Sequence, residues 1–600
     1  MKRHIKLCAG AAAGLFLIVF PAFAQPPDSL WSRTYGGSSD DGAYSVQQTA
    51  DGGYIVAGWT LSSGAEPDFY LVKTDNCGEP LWTRTYGGSS TDQAYSVQQT
   101  ADGGYIVAGR TWSFGAGYDD FYLVKTNSQG DTLWTHTYGG WSNEYANSVR
   151  QTADGGYIMA GWTWSFGVAQ DFYLVKTNSS GDTLWTRTYG GSSSDWAYSV
   201  QQTADGGYII AGWTWSSGAE QDFYLVKTNN QGDTLWTRTY GGIRSDYASS
   251  VQQTTDGGYI VAGSTQSFGA GAEDFYLVKT NSLGDTLWTR TYGGSYWDEA
   301  YSVQQTADGG YIVAGYTYSF GAGWYDFYLV KTNFLGDTLW TRTYGGSGAD
   351  GANSVQQTTD GGYVMAGYNA STGPSADMWL VRIGFSSPDI ISITDVGNDQ
   401  GRQARIRWYH SGYDECSGDY TITSYSIYRR IDQYLMGGGM KAERETLDWP
   451  PGEWEYITTV PARGEVQYAT IVPTLADSTS EGIYWSVFFI CAHTPNPLIH
   501  FDSAVDSGYS IDNLPPDETL LTAMVQTAPG SIRLRWQEVL TGGGGQPEQG
   551  DIWYRVYGSP DPMFTPGPGN LLVVTQNLEF THEVGANQKY FYIIRASDDH

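Results

Sequence analysis

Short apolar segments alternate with glycine-rich turns along most of this chain, and the pattern repeats. In one repeat the segments are AYSVQQT (94–100), YIVAGRTW (105–112), DFYLVKT (120–126) and TLWTHTY (132–138). Their lengths and their β-branched and aromatic residues are typical of strands, and the turns contain glycine and asparagine, which tolerate positive φ. The third and fourth segments have apolar residues on both faces, which favours strands packed between two neighbouring sheets. Each repeat is therefore predicted to be a four-stranded antiparallel sheet.

A tryptophan in the frame LW(T/S)(R/H)TYGG marks the repeat, at positions 51 or 52 residues apart. These residues are Trp31, Trp82, Trp134, Trp185, Trp236, Trp288 and Trp340. Strand-rich repeats of this length form the blades of β-propellers, and an open solenoid is the alternative. The array begins with a lone tryptophan strand and ends with a repeat that lacks one, so pairing of the two would remove both open edges. We predict an all-β protein in which residues 25–384 form a seven-bladed β-propeller closed by its N-terminal strand.

The repeat region resembles exported bacterial proteins built from near-identical TYGG…DGGYIVAG…DFYLVKT propeller repeats. The resemblance covers residues 30–384. It implies a surface or extracellular propeller, often joined to fibronectin type III-like modules, and it implies no particular activity.

The repeat ends at Gly384, and the rest of the chain resembles two fibronectin type III sandwiches. In residues 385–515, ARIRW (404–408), SYSIYR (424–429) and YWSVFFIC (484–491) resemble strands B, C and F of that fold. Residues 516–600 contain a second set, IRLRW, IWYRVY and YFYIIRA, with no segment left for strand G. We expect one sandwich followed by an incomplete second one. An unrelated β-sandwich is the alternative, because such folds share this strand pattern.

The N-terminus is typical of a signal peptide. Basic residues, among them Lys2 and Arg3, precede an apolar run, and AFA at 22–24 matches a small-residue cleavage site. A membrane anchor is the alternative, although the run is short for a span and contains glycine and proline. We predict that residues 1–24 are a signal peptide cleaved after Ala24, and that the protein is extracellular or on the cell surface without membrane insertion.

Composition and charge narrow the function classes. Aromatic residues make up 15% of the chain, and 78 glycines accompany only 16% charged residues, which is an all-β composition. The net charge of −31 would repel nucleic acid and anionic lipid, so neither is expected as a partner. We expect a monomer whose partner is a glycan or an extracellular protein.

Three cysteines remain once the leader is removed. Cys416 and Cys491 fall at one end of the first sandwich and are candidates for a disulfide, which export permits. Cys77 is then expected to be an exposed free thiol.

Three acids recur in every repeat, at the positions of Asp92, Asp102 and Asp120. A catalytic group is needed only once, so residues present in all repeats are expected to accept hydrogen bonds from turn amides. Calcium held by loop carboxylates is the alternative, although no repeat has the dense acidic ladder of an EF-hand loop. No Ser–His–Asp or Cys–His set, zinc spacing or phosphate loop is found. We therefore predict no catalytic residue, no cofactor, no bound metal and no enzymatic activity.

Variation between repeats is concentrated on the links between repeats and on the loops between second and third strands. Both sets lie on one face of the predicted propeller because consecutive strands are antiparallel, and the other face carries the uniform DGG and NxxG turns. Binding residues concentrate on loops of rigid scaffolds, and rings beside Asp, Ser and Asn suit sugars or a protein surface. The candidate binding residues are Tyr118, Trp141, Tyr145, Trp196, Tyr247, Tyr296, Trp297, Trp324 and Tyr325.

These patterns predict a non-enzymatic secreted or cell-surface protein whose variable face recognises a glycan or a protein. For the candidate rings themselves, packing between repeats without any ligand is the alternative. For the whole protein, a structural or adhesive surface component without a discrete ligand is the second hypothesis. A carboxylate-based glycoside hydrolase, with paired acids from different repeats, is the third.

Trp196→Ala and Trp297→Ala are expected to leave folding unchanged and to abolish ligand binding, because exposed rings supply contact area without supporting a core. A screen against glycans and surface proteins measures binding, and circular dichroism checks the fold. Binding that is insensitive to both substitutions would contradict this assignment.

Overall fold

The computed structural model describes most of residues 27–600, and within these residues the chain is all-β, with no α-helix and one 3-10 turn at Pro568–Asn570. None of the described segments is a helix of the length and apolarity that a membrane span requires. The predicted signal peptide, residues 1–24, lies outside the described residues. Contacts divide the chain into two compact units, Met1–Ile383 and Gly384–His600. Within 27–600 the description omits residues 217–219, 398–400, 415, 417–419, 432–449, 451, 479–482, 512–518, 529, 540–551, 562, 585–589 and 598–600.

The described part of the first unit consists of strands of seven or eight residues separated by short turns and loops. In chain order the strands are β1 (Asp28–Tyr35), β2 (Asp41–Gln48), β3 (Tyr54–Thr60), β4 (Asp68–Thr74), β5 (Pro80–Tyr86), β6 (Asp92–Gln99), β7 (Tyr105–Thr111), β8 (Asp120–Thr126), β9 (Thr132–Tyr138), β10 (Glu144–Gln151), β11 (Tyr157–Thr163), β12 (Asp171–Thr177), β13 (Thr183–Tyr189), β14 (Asp195–Gln202), β15 (Tyr208–Thr214), β16 (Asp222–Thr228), β17 (Thr234–Tyr240), β18 (Asp246–Gln253), β19 (Tyr259–Thr265), β20 (Asp274–Thr280), β21 (Thr286–Tyr292), β22 (Asp298–Gln305), β23 (Tyr311–Thr317), β24 (Asp326–Thr332), β25 (Thr338–Tyr344), β26 (Asp350–Gln357), β27 (Tyr363–Asn369) and β28 (Asp377–Gly384).

These strands pair into seven four-stranded sheets. Six sheets contain four consecutive strands in their order along the chain, from β2–β5 to β22–β25. The seventh has the order β1-β28-β27-β26, so the leading strand supplies the strand that the last repeat lacks, as predicted. Every first strand carries a β-bulge at the same place, between Ala94 and Ser96 in β6, which increases the local twist. The sequence repeat and the sheet repeat therefore coincide.

Hydrogen bonds between first strands join neighbouring sheets. At each of seven contacts a valine N–H donates to a serine hydroxyl of the neighbouring repeat, for example Val97 N to Ser45 Oγ at 3.3 Å. The same bond joins the first sheet to the last, where Val46 N donates to Ser354 Oγ at 3.2 Å. The seven contacts therefore form a closed series.

The core of the first unit lies between its sheets and is aromatic. A phenylalanine of a third strand meets a ring of the next sheet; Phe121, which is fully buried, meets Tyr173 edge-on with 5.1 Å between ring centroids. The tryptophan strand adds Trp134, whose ring lies 5.8 Å from Tyr157 of the following repeat. Large rings in edge-on contact bury much apolar area in a favourable geometry, so each sheet is stabilised chiefly by its neighbours.

The fourth strand of each repeat departs from the prediction of two buried faces. The third strand β8 is buried throughout, whereas β9 has exposed positions along most of its length, and Leu133 is 57% exposed. Because β9 pairs only with β8, it forms the edge of its sheet and one of its faces meets solvent. The prediction is confirmed for the third strand and wrong for the fourth.

The second unit contains three three-stranded sheets and one five-stranded sheet in its described residues. Their orders are β29-β30-β33, β32-β31-β34-β35 with β36 also paired to β34, β37-β38-β41, and β40-β39-β42. The strands are β29 (Asp389–Asp395), β30 (Gln403–Tyr409), β31 (Ser424–Arg430), β32 (Trp454–Pro461), β33 (Gln467–Pro473), β34 (Ser486–His493), β35 (His500–Asp502), β36 (Asp506–Gly508), β37 (Leu521–Ala528), β38 (Ser531–Trp536), β39 (Trp553–Ser559), β40 (Leu571–Thr575), β41 (Glu579–Glu583) and β42 (Phe591–Ser597).

Two aromatic clusters hold these sheets together in pairs. Trp408 of β30 is fully buried and lies 5.9 Å from Tyr425 of β31, which joins the first two sheets. Trp536 of β38 lies 5.6 Å from Tyr554 of β39, which joins the other two. The second unit therefore has two aromatic cores, each between a pair of sheets, and their tryptophans are the ones that the sequence placed in strand B.

The predicted disulfide between Cys416 and Cys491 is wrong. Cys491 is buried and its thiol is free. The sequence placed Cys491 at the end of a strand, but β34 continues to His493 and pairs Cys491 with Asp502 of β35, so the thiol lies within the sheet. Cys77 and Cys416 are each disulfide-bonded, so Cys77 is not the free thiol that was expected.

Trp31→Ala is expected to destabilise the first unit about as much as Trp185→Ala, because the two rings make the same contact. Trp31 lies 5.8 Å from Tyr54, and Trp185 lies 5.9 Å from Tyr208. Loss of a large buried ring costs about 3 kcal/mol or more of unfolding free energy. Urea unfolding followed by circular dichroism measures both variants. Wild-type stability of the Trp31 variant, beside a destabilised Trp185 variant, would contradict a closing role for β1.

Candidate binding site

The links between repeats and the loops between second and third strands meet at one end of the sheets. Trp112 N donates to Thr91 O at 2.9 Å, and Ser113 Oγ donates to Ser90 O at 3.1 Å. A backbone bond equivalent to the first joins the two loops in every repeat. The prediction that the variable loops lie at the same end is confirmed, and we call this end the variable face.

Five of the nine predicted binding residues are exposed on these loops. Trp141 is 84% exposed and Trp324 is 73% exposed. Rings on separate loops offer contact area to a partner without enclosing it. The five exposed residues are Tyr118, Trp141, Tyr296, Trp297 and Trp324.

The other four predicted residues are half-buried and contact neighbouring side chains. Trp196 stacks on Trp162 with 4.9 Å between centroids, and its Nε1 donates to Gln170 Oε1 at 3.0 Å. The Tyr145 hydroxyl accepts a bond from Arg110 Nη1 at 2.6 Å. Trp196→Ala is therefore expected to lower stability as well as binding, which corrects the expectation of unchanged folding. The four half-buried residues are Tyr145, Trp196, Tyr247 and Tyr325.

Seven variable cross-strand pairs lie just below the loops. Each pair joins the second residue of a first strand to the sixth residue of the second strand, in the same register in every repeat. Cross-strand partners lie on the same face of a sheet and contact each other, so both members of each pair contribute to one surface. The pairs are Gly42–Trp59, Gln93–Arg110, Tyr145–Trp162, Trp196–Trp213, Tyr247–Ser264, Glu299–Tyr316 and Gly351–Tyr368.

Rings of three successive repeats form a continuous row on the variable face. Tyr145, Trp162, Trp196, Trp213 and Tyr247 follow one another at centroid distances of 4.3, 4.9, 5.0 and 6.0 Å. Trp162 and Trp213 are buried within this row. The rings fill the space between the strand ends, so this side of the variable face is closed.

A cavity of about 340 Å³ lies where the first and last repeats meet. Both repeats have glycine at the variable position of the first strand. A Cβ on Gly42 would stand 3.1 Å from Trp59 Nε1, and one on Gly351 would stand 2.7 Å from Tyr368 Oη. The Tyr368 ring therefore occupies the place of a side chain at Gly351, and the Trp59 ring leaves little room for one at Gly42. Among the lining residues are Asp40, Tyr44, Trp59, Asn353 and Tyr368.

Sequence reasoning missed Trp59 and Tyr368 because it searched the loops, and these rings belong to strands β3 and β27. A signal was present in the sixth position of the YIVAGxT segment, which is Trp, Arg, Ser or Tyr while its neighbours hardly change. Variation at one position of an otherwise constant strand indicates that the surroundings of this position differ from repeat to repeat, which makes it a candidate for recognition.

One of the three recurrent acids accepts hydrogen bonds within the turn between the first and second strands. Asp102 Oδ1 accepts bonds from Gly104 N at 3.0 Å and from Lys125 Nζ at 3.1 Å. Burial alone would raise the pKa of Asp102, but its hydrogen bonds from Thr100, Lys125 and Gly104 outweigh burial and lower the pKa to about 2. The expectation that these acids accept bonds from turn amides is confirmed.

The other two recurrent acids meet at the boundary between repeats. Asp120 and Glu144 both lie against Gly139, where a Cβ would overlap the two carboxyl groups. Burial raises the pKa of Asp120 to about 6, aided by the charge of Glu144 and a hydrogen bond with it. Two buried carboxyl groups in contact resist double ionisation, so Asp120 carries a proton below about pH 6. The sequence did not predict this pairing.

Comparisons with known proteins assign no family. No protein-family model matches the chain, and no curated protein matches it in sequence. Among solved structures, Sqt1 from Chaetomium thermophilum has 11% identity and a TM-score of 0.35, covering 63% of this chain and 96% of that one. A protein of unknown function from Dyadobacter fermentans DSM 18053 has 11% identity and a TM-score of 0.36, covering 59% and 98%. Drosophila Plexin A, in complex with Semaphorin 1b, has 8% identity and a TM-score of 0.36, covering 60% and 87%.

Asp120→Asn is expected to stabilise the first unit above pH 6, because the amide can donate to Glu144 permanently. The raised pKa of Asp120 means that the folded state holds its proton more tightly than the unfolded state. Its favourable contribution is complete below about pH 4 and is lost as the pH rises through 6. The variant should therefore gain about 1–2 kcal/mol of unfolding free energy at pH 8 and nothing near pH 4.

Urea unfolding of both proteins at pH 4, 6 and 8, with and without EGTA, measures this difference. An advantage of equal size at all three pH values would contradict the raised pKa of Asp120. A fall in the wild-type unfolding free energy on adding EGTA would instead indicate a cation at the carboxyl pair.

Proposed function

We propose that the first unit is a seven-bladed β-propeller of an exported, non-enzymatic protein, and that its variable face binds carbohydrate. The closed series of valine–serine bonds supports the propeller, because each sheet contacts the next in the same way and the last contacts the first. The pairing of β1 with β28 supports it further, since it leaves no repeat without its fourth strand.

The variable cross-strand pairs carry the proposal of binding. The seven repeats are nearly identical in their strands and in the turns of the opposite end, yet the residues of these pairs differ from repeat to repeat. Variation confined to one face of a constant scaffold is typical of recognition surfaces. A purely structural component would have no need for different residues at the same position of each blade.

Carbohydrate fits the cavity between the first and last repeats. Its volume of about 340 Å³ falls within the usual range of small-ligand sites. Trp59 and Tyr368 offer ring surface for the apolar face of a sugar, and Asp40 and Asn353 offer polar groups for its hydroxyls. This combination favours a mono- or disaccharide unit at the cavity, with the exposed loop rings contacting further units of a longer glycan.

The remaining parts of the chain fit an exported binding protein. The proposed signal peptide would direct export, and the second unit would consist of fibronectin type III-like sandwiches acting as spacers or secondary contacts. An adhesive component without a discrete ligand is the second candidate, favoured by the strongly exposed Trp141 and Trp324 on separate loops. A glycoside hydrolase is the third, since Asp40 and Asp41 also line the cavity.

Gly42→Trp and Trp59→Ala are each expected to abolish carbohydrate binding. The first adds a ring at the position where the fourth repeat carries Trp196 beside Trp213. A Cβ at Gly42 would stand 3.1 Å from Trp59 Nε1, so the Trp59 ring must shift, and circular dichroism checks that the variant folds. The second removes the ring on which the sugar would stack, worth about 1 kcal/mol or more. A glycan array identifies the ligand, and titration calorimetry measures the loss.

Trp141→Ala is the matched control, because it removes an exposed tryptophan of the variable face that lies outside the cavity. It should bind the smallest recognised saccharide as well as wild type does. Absence of any bound glycan, or binding that survives both cavity substitutions, would contradict the carbohydrate proposal.

A further inference from the structure

The first strands of all seven repeats surround a second cavity, of about 240 Å³, that the proposed function does not use. Although the chain has a net charge of −31, no aspartate or glutamate lines this cavity. Its polar lining comes from the S-V-Q segments, with one exception at Arg150. The polar lining residues are Ser45, Ser199, Ser250, Ser302, Ser354, Gln47, Gln98, Gln201, Gln252, Gln304, Gln356 and Arg150.

The serines of these segments present hydroxyl protons to the cavity. The oxygen of each already accepts a backbone N–H, as Ser45 Oγ accepts from Val97 N at 3.3 Å. A hydroxyl that accepts in this way still has one proton to donate. Within the described part of the chain, none of the five serine hydroxyls that line the cavity donates to a protein acceptor.

The glutamines present amide protons in the same way. Gln47 Oε1 accepts from Gln99 N at 2.6 Å, and equivalent bonds are made by the other five. Because a backbone N–H can only donate, each amide must offer its oxygen to the strand, which leaves its NH2 group as a donor. None of the six NH2 groups finds an acceptor among the described residues.

Arg150 replaces the glutamine of the third repeat and is the single charged residue in the lining. Its Nη1 donates to Val149 O at 2.8 Å and to Ser96 Oγ at 3.4 Å. No protein acceptor faces its Nε or Nη2 in the described residues, so one edge of the guanidinium fork is unused. Burial lowers the pKa of Arg150, and among the described residues no carboxylate compensates for the hydration that its charge has lost.

We propose that this cavity binds a small oxyanion, such as inorganic phosphate, on the unused edge of Arg150. A guanidinium edge binds two oxygens of a phosphate or carboxylate with parallel hydrogen bonds. The serine hydroxyls and glutamine NH2 groups can then donate hydrogen bonds to the remaining oxygens of the anion. The donors of the lining, which lack protein acceptors among the described residues, would thereby be satisfied. The anion also supplies the negative charge that an enclosed arginine requires.

Arg150→Gln provides a matched test, because it restores the residue found at this position in the other six repeats. The new amide oxygen can accept from Gln202 N, as in those repeats, so the variant should be at least as stable as wild type without phosphate. Titration calorimetry with inorganic phosphate at constant ionic strength should give one site per wild-type chain and no binding by the variant. The wild-type melting temperature should rise by several degrees, and that of the variant should not.

Arg150→Lys keeps the charge but loses the fork, so its phosphate affinity should fall about tenfold or more. Equal rises in melting temperature for wild type and Arg150→Gln would indicate a general salt effect and overturn the proposal. Wild-type protein that shows no calorimetric binding of phosphate, sulfate or acetate would overturn it equally.

A separate cluster in the second unit carries a second inference. Cys491 and His493 of β34 pair with Asp502 and His500 of β35, and alternate residues of a strand share a face. Four side chains that bind metals therefore lie on one patch of sheet. In sequence these residues read C-x-H followed by H-x-D. This pattern indicates a metal site only when the two strands pair, because pairing brings the four side chains together.

The ligand atoms of Cys491, His500 and Asp502 form a compact group, somewhat wider than the ligand set of a bound tetrahedral ion, and His493 lies beside Cys491. Cys491 Sγ lies 3.8 Å from His493 Nδ1, and His500 Nε2 lies 3.6 Å from Asp502 Oδ2. The ligand atoms of Cys491, His500 and Asp502 all lie within 4.8 Å of one another. A zinc ion with bonds of about 2.0–2.3 Å holds its ligand atoms roughly 3.3–3.6 Å apart. Asp502 Oδ1 is buried with no hydrogen-bond partner among the described residues.

We infer that Cys491, His493, His500 and Asp502 bind zinc, with the thiol proton released to solvent on binding. Cobalt(II) added to the full chain should produce a sulfur-to-cobalt charge-transfer band, and zinc should abolish it. The band should be absent in Cys491→Ser, and zinc affinity should fall at least tenfold in His500→Ala and Asp502→Asn. His582→Ala, a histidine of the other aromatic core of this unit, is the control and should bind as wild type does. A cobalt spectrum without the sulfur band, or equal zinc affinity in wild type and Cys491→Ser, would overturn the inference.

Discussion

The hydrogen bond from a valine N–H to a serine hydroxyl of the neighbouring repeat sets the position of the rest of the first unit. It satisfies a backbone donor at the inner edge of each sheet, where the strand has no partner on that side. It also fixes the spacing of neighbouring sheets, on which ring contacts such as that of Phe121 with Tyr173 depend. The variable pairs, the loops above them and the inner cavity all take their places from this spacing.

The sequence could predict the parts of this fold that depend on local signals. Glycine and asparagine in the turns mark four strands per repeat, and a strand left over at each end indicates how β1 and β28 pair. The exposure of Leu133 could not be predicted in this way, because an apolar side chain at a sheet edge looks the same in sequence as one in a core. The free thiol of Cys491 was missed for a similar reason, since its neighbours depend on strand length and register.

The candidate sites were harder to predict because each is assembled from several repeats. Trp59 and Tyr368 are more than 300 residues apart in the chain, and they line one cavity because the first and last repeats meet. The loop rings were found because variation in loops is conspicuous. Arg150 is a single departure from glutamine in seven copies, and its significance appears only when the first strands are seen to surround one cavity.

Neighbouring repeats are all joined by the same hydrogen bonds, and this affects how the number of repeats can change in evolution. The contact that closes the series, Val46 to Ser354, uses the same atoms as the contact between any two adjacent repeats. Unequal crossing-over that inserts or deletes one whole copy would therefore preserve every type of bond at the new junctions. What it would alter is the circumference of the inner cavity, because each first strand contributes residues to its lining.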